Sequence, residues 1–398
     1  MSGLLSLPTE LLQEIGSLIG EDLRRLRAVN IQLQLVSEPL YFKSMKVSLG
    51  QSGSQLKALA TGTTRAAPYV QHLTIIRNNA LGVPDDMLLY LDSALCKLKN
   101  LQSLIWHVGL TAGSMIEQEA AQRILDSLGP LQSLHTLVVI AHADIGSSYA
   151  PILNLSCFRN IKSFSVCFDS GLPSSLANAV RELIDVNALH LAALRIAATA
   201  SSSVDLGNLL PDGKPLLRLR HLSLLRLELS EFKRELLHLP SLQSFTLLST
   251  TISDSPDGIW DLLRAEETWI TRLEVSRVDA SLLEYLESFS ALERLSVILP
   301  ELWQDASEEF LGRLLVDVLP KHHGSLVSIT LQRIPWSFLQ PLVSDCMIDL
   351  GKCTELGLDI PLTEIKYTGG ETLVRRFYIF SSKPQCSVTR MSFLIYNV

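Results

Sequence analysis

The chain has 398 residues, of which 47% are hydrophobic and only 19% charged, with 34 basic against 41 acidic side chains and a formal net charge of −7. That balance excludes a chain disordered over most of its length and speaks against phosphate binding, which relies on concentrated positive charge. The 78 leucines, beside only 6% aromatic residues, call for a structural cause.

Pro8 opens the first predicted helix, where its missing N–H costs nothing, and Thr9 and Glu10 suit the first turn. Leu11, Leu12, Ile15, Leu18 and Ile19 follow as one apolar stripe that Gly20 ends. Glu21 and Asp22 begin a second helix with Leu23, Leu26 and Val29 along its face and Arg24, Arg25 and Arg27 mostly outside it. Leu33, Val36 and Leu40 suit a third helix, Met45, Val47 and Leu49 alternate as a strand, and Gln51 to Ser54 read as a polar connection. A helical piece of about forty residues is too small to hold a large core alone and gains from a partner.

The segments Leu7-Pro8-x-Glu10-Leu11-Leu12-x-x-Ile15, Asp22-Leu23-x-x-Leu26-Arg27-x-Val29 and Pro39-Leu40-Tyr41-Phe42 have the order and spacing of an F-box, and residues 1–49 resemble that family. Gly16 departs from its pattern, standing where a helix-favouring residue is expected, and no aromatic occurs between Ile31 and Val36. The resemblance implies docking on a SKP-type adaptor, and through it on the cullin and RING subunits of a ubiquitin ligase. Its contacts would fall on Leu7, Pro8, Leu11, Ile15, Leu26 and Val29. On the residues alone, a helical cap shielding the end of a repeat array remains the alternative.

From about residue 70 an apolar-x-x-apolar-x-apolar pattern recurs, centred on Leu73, Leu104, Leu137, Phe164, Leu194, Leu222, Phe245, Leu273, Leu295, Ile329, Leu356 and Met391. Alternation over the last three positions predicts a short strand buried on one face. Between strands the spacing turns helical, as in Ile116, Ala120, Ile124 and Leu128, in Leu176, Val180 and Leu183, and in Phe310, Leu314 and Val318. Ser281 with Glu284 reads as a capping box. An unrelated α/β domain with chance matches is the alternative, but residues 55–398 resemble an irregular leucine-rich-repeat protein. The resemblance implies an α/β chain: a three-helix F-box followed by a solenoid of about twelve strand-plus-helix units, each burying its neighbour's apolar flank. The family's turn-joining Asn or Cys position holds Asn78, Gly109, His142, Asp169 and Thr199, so no asparagine ladder is expected.

No phosphate loop, dinucleotide loop, nucleophile elbow or HExxH motif occurs, so neither catalysis nor a cofactor is expected. His322 and His323 read as a loop pair in water, and Cys346 and Cys353 as residues of buried faces rather than metal ligands. Six cysteines without a CxxC pair suit reduced, buried thiols; with no membrane-length apolar run and no signal peptide, a cytoplasmic or nuclear location is expected. Residues 1–49 hold five basic and five acidic side chains, leaving 29 against 36 beyond them, which disfavours a nucleic-acid partner. Residues 199–215 read as a long loop.

In a leucine-rich solenoid the strand positions between the buried ones line the concave side. These are apolar early, with Ile105, His107, Val138 and Ile140, and charged late, with Arg272, Glu274, Arg294, Glu355, Asp359 and Arg390. The charged set is the candidate surface for an unknown protein target. The expectation is a substrate-recognition subunit of an SCF-type ubiquitin ligase, the alternative a non-enzymatic repeat scaffold with no link to ubiquitination.

Overall fold

The computed structural model describes residues 7–19, 22–49, 51–76, 85–109, 115–142, 153–169, 172–205, 209–210, 218–230, 239–252, 257–299, 306–333, 353–361 and 390–396. The chain divides into two units, Met1–Leu191 and Ala192–Val398. Both are α/β, with parallel strands in consecutive order, apart from a two-residue strand of the second unit at residues 251–252 that pairs outside it, and with helices in the connections.

The first unit opens with α1 (Thr9–Ile19), α2 (Leu23–Val29) and α3 (Ile31–Tyr41). Gly16 has a steric reason: a Cβ there would lie 3.0 Å from Leu40 Cδ1 and 3.6 Å from Leu23 Cδ2, so its absence lets α1 settle onto α3 and α2. Arg27 corrects the sequence reading. It lies inward, its guanidinium 4.3 Å from the Tyr41 ring centre and 4.6 Å from that of Phe42, with Glu38 Oε1 3.8 Å away. Two aromatic faces and a nearby carboxylate hold that cation where α2 and α3 meet.

Next come β1 (Ser44–Ser48), α4 (Gly53–Thr61), β2 (His72–Ile76), α5 (Asp85–Leu95), β3 (Ser103–Gly109), α6 (Met115–Leu128), β4 (Thr136–His142), β5 (Ser163–Phe168) and α7 (Ser174–Asn187). The polar connection is shorter than expected, because α4 already starts at Gly53. Met45, Leu73, Leu104, Leu137 and Phe164 align across five parallel strands, so β1 is a full member of the sheet. Ala120, Ile124 and Leu128 of α6 and Leu176, Val180 and Leu183 of α7 are buried, as their spacing predicts. Residues 143–152 lie outside the described set, and between them and β5 the connection is a 3-10 turn, Leu155–Cys157, rather than a helix.

The second unit contains β6 (Ala193–Asp205), β7 (His221–Ser230), β8 (Ser244–Leu248), β9 (Thr251–Ile252), α8 (Asp257–Ala265), β10 (Arg272–Val275), α9 (Ala280–Glu287), β11 (Arg294–Ile298), α10 (Ala306–Arg313), β12 (Ser328–Gln332), β13 (Glu355–Pro361) and β14 (Arg390–Tyr396). Leu194, Leu222, Phe245, Leu273, Leu295, Ile329, Leu356 and Met391 stand in one register row. Residues 199–205, expected in a loop, belong to β6, whose register with β7 shifts between Ala197 and Ser202. Pro211, Asp212, Gly213 and Pro215 of that expected loop lie outside the described residues.

Strand starts share one bonding rule. The carbonyl of Gln71 accepts the N–H groups of Gln102 and Ser103, that of Gln102 those of His135 and Thr136, and that of Thr271 those of Glu293 and Arg294. Each strand entrance thus anchors the next.

A second rule concerns buried polar side chains. Asn187, at the end of α7, accepts from Ile161 N at 2.8 Å and donates to Phe158 O at 2.9 Å. Tyr285 in α9 accepts from Ile270 N at 2.9 Å and donates to Thr268 O at 2.7 Å. His322, in the helical turn after α10, faces Leu292 N at 3.4 Å and Leu286 O at 3.0 Å. In each of these three repeats the bonded N–H lies two residues before the strand, a donor that the sheet leaves free.

His322 is therefore a correction: it is 0% exposed, not in water, whereas His323 is exposed. The Phe289 ring meets His322 edge-on, and Trp260, Trp269 and Phe289 pack round Tyr285, excluding water from both sites. The α9 cap is likewise Asp279, whose Oδ1 accepts from Leu282 N at 3.0 Å and from Ser281 Oγ at 2.9 Å; the expected cap, Ser281, is its donor. Cys353 is buried, but Cys96 is exposed and Cys157 and Cys167 are half-buried, so the expectation of buried thiols holds for one of the four described. Cys346 and Cys386 lie outside the described residues.

Candidate functional site

The helical head has more apolar surface than it covers. Among the described residues, the exposed large hydrophobic side chains are eleven, and seven of them, Leu7, Leu11, Leu18, Val29, Ile31, Leu35 and Tyr41, fall within residues 7–41. Leu18 is 82% exposed, Val29 73%, Ile31 65% and Leu35 54%. The apolar stripe of α1 is in fact two. Leu12 and Gly16 face inward, while Leu11 and Leu18, two turns apart with half-buried Ile15 between them, face solvent. Val29 belongs with this outer set and not with the α2 face that packs.

Of the six head residues singled out in the sequence, Leu7, Pro8, Leu11 and Val29 are exposed, and Ile15 and Leu26 are half-buried. Leu18, Ile31 and Leu35 were missed as surface residues. Ile31 and Leu35 are one turn apart on α3, so that spacing was the available signal.

The second unit's strand face aligns the late candidates. Ser244, Arg272, Arg294, Ser328, Glu355 and Arg390 form one register row, and Thr246, Glu274, Ser296, Thr330, Gly357 and Ser392 the next. Asp359 stands opposite Gln332 and Leu394. Thr246 Oγ1 donates to Glu274 Oε2 at 3.2 Å, and Arg272 Nε lies 3.9 Å from Glu293 Oε2 with both side chains about half exposed. Burial, then Arg272 and Arg220, hold the His221 imidazole below its ordinary value.

On the first unit's strand face, His142 joins two neighbours. Its Nδ1 is 2.8 Å from Asp169 Oδ2 and its Nε2 is 3.1 Å from His107 Nδ1. The turn-joining position thus does link adjacent strands, through a histidine and a carboxylate. Burial, then His142 and Lys46, hold His107 below its ordinary value. In the same unit a cleft of about 380 Å³ lies between the end of α6 and Cys157. Burial pushes the Cys157 thiol up to about 11, so it is no thiolate at neutral pH.

Among the described residues no group of three or more His, Cys, Asp or Glu side chains is placed to hold a metal ion, and no helix is long and apolar enough to cross a membrane. No protein-family model matches the chain, and no curated protein matches it in sequence.

Proposed function

We propose that this chain is a substrate-recognition subunit of an SCF-type ubiquitin ligase: an F-box that docks a SKP-type adaptor, and through it cullin and RING subunits, joined to a leucine-rich-repeat solenoid that holds a protein target. The carrying observation is the crowding of exposed leucine, isoleucine and valine on a head of three short helices. An apolar surface of that kind marks an interaction site when it is contiguous along helix faces. The adaptor contacts are Leu7, Pro8, Leu11, Ile15, Leu26 and Val29, with Leu18, Ile31 and Leu35 extending them. The ordered rows around Arg272, Glu274, Arg294, Glu355, Asp359 and Arg390 select the target by charge, which chiefly sets specificity and on-rate. The chain performs no catalysis of its own and works in the cytoplasm or nucleus.

The test is capture of a purified SKP-type adaptor by the full chain and by its Leu11→Asp, Leu18→Asp double variant. Covering each leucine contributes about 1.5 kcal/mol or more, so the variant loses about 100-fold or more in affinity while its thermal unfolding stays in place. Equal capture by both forms, or none by either, removes the ligase reading and leaves a repeat scaffold.

A further inference from the structure

His107 and His142 lie on one face of the adjacent strands β3 and β4, and Asp169 follows directly after the last residue of β5. The planes of the two imidazoles are 13° apart and their centres 5.4 Å apart. Coplanar rings at that separation do not stack. The distance equals the 3.1 Å nitrogen contact plus the two ring radii, so both nitrogens lie on the line between the centres and share one in-plane hydrogen.

We propose that Asp169, His142 and His107 form a proton relay that sets the polarity of the outer edge of His107. A carboxylate only accepts, so His142 Nδ1 must carry a hydrogen. In a neutral imidazole the other nitrogen is then bare, and His142 Nε2 accepts from His107 Nδ1–H. That leaves His107 Nε2 without a hydrogen, an acceptor suited to a hydroxyl or amide N–H on this face. One further proton reverses it. The hydrogen between the rings stays, and His107 Nε2 becomes a charged donor suited to a carboxylate. A second added proton is opposed, because it would leave two charged imidazoles with nitrogens 3.1 Å apart.

Among the described residues, the other titratable groups on this face are Lys46 of β1, His72 of β2 and Cys167 of β5. Burial, then the neighbouring His142 and the Lys46 charge, oppose the extra proton on His107, so the reversal occurs only as pH falls below about 6.5. Asp169 works at a distance in this scheme. Its carboxylate bonds the His142 ring rather than that of His107, yet decides which nitrogen of His107 is bare.

The test is long-range proton–nitrogen NMR on the nitrogen-15-labelled full chain at pH 7.5, where a bare ring nitrogen is separated from a protonated one by its shift. The relay requires both rings in the Nδ1–H form, the opposite of the form that free histidine favours. In Asp169→Ala, His142 reverts to Nε2–H and donates, so His107 must switch to Nε2–H as well; the amide spectrum of β3 to β5 reports that the strands stay paired. On acidification of the native chain, His107 Nε2 gains its hydrogen while the hydrogen between the rings stays in place. His107 found as Nε2–H in the native chain at pH 7.5, or unmoved by Asp169→Ala, overturns the relay.

Discussion

The helical head and the strands behind it spend the same residues in opposite ways. In β2 to β5 every inward leucine or phenylalanine of the central row is at most 1% exposed, whereas α1 to α3 leave Leu18, Val29, Ile31 and Leu35 mostly in solvent. A strand in this chain is completed by the next strand, which the chain supplies. Among the described residues the head has no further copy of itself to lean on. Leucine content alone is therefore a poor guide to core; what decides is whether the chain provides the neighbour.

The sharpest way to break that contrast is a matched pair of truncations. Leu137→Ala, at a fully buried position between Leu104 and Phe164, should cost about 2–5 kcal/mol of unfolding free energy, against less than about 0.5 kcal/mol for Leu18→Ala. Denaturant unfolding of both variants measures it. A large loss at Leu18 would mean that the head's surface is internal.

Acid sharpens the comparison from the body's side. Burial, with Lys321 adding, holds His322 below the ordinary imidazole value despite the Leu286 carbonyl, which favours the charged form. The unfolded chain consequently takes up a proton that the folded one refuses, and stability falls as pH drops below about 6.5, by at most about 1.4 kcal/mol per pH unit from this residue. His322→Gln retains a donor and an acceptor but cannot titrate. Its unfolding free energy should change less between pH 7.5 and pH 5.5 than that of the native chain, and an equal change would place the acid sensitivity elsewhere.

The smallest effect on stability belongs to the second unit's strand face. Arg272→Glu with Arg294→Glu should move unfolding free energy by less than about 0.5 kcal/mol, since the Arg272 pairing with Glu293 is half exposed, yet abolish target capture while adaptor capture persists. Target identified by proximity labelling and retained in full by this variant would remove those arginines from recognition.

Much of the strand framework was legible because its signal is local. Twelve apolar-x-x-apolar-x-apolar centres, spaced unevenly in sequence, fall into common register rows. What escaped depends on partners far along the chain. Nothing beside His322 foretells Leu286 O or Leu292 N, 36 and 30 residues away, and a two-histidine run in itself looks like a solvated loop. Ser202 and Ser203 look like loop by composition, yet β7 offers them a neighbour to pair with. On the head, Leu11 and Val29 were readable as candidates, but periodicity merged two stripes of α1 into one, since neighbouring apolar rows on a helix differ only by which side finds a packing partner. His107, His142 and Asp169 were each visible singly; their contact needed the strand register.

Asn187, Tyr285 and His322 share one duty and have no chemistry in common beyond offering a donor and an acceptor on the same side chain. The joint is specified by a pair of hydrogen-bonding directions, not by an amino acid. Different letters can serve in each copy without loosening the stack, so a chain assembled on such joints can drift until its own repeats no longer spell alike while the architecture persists.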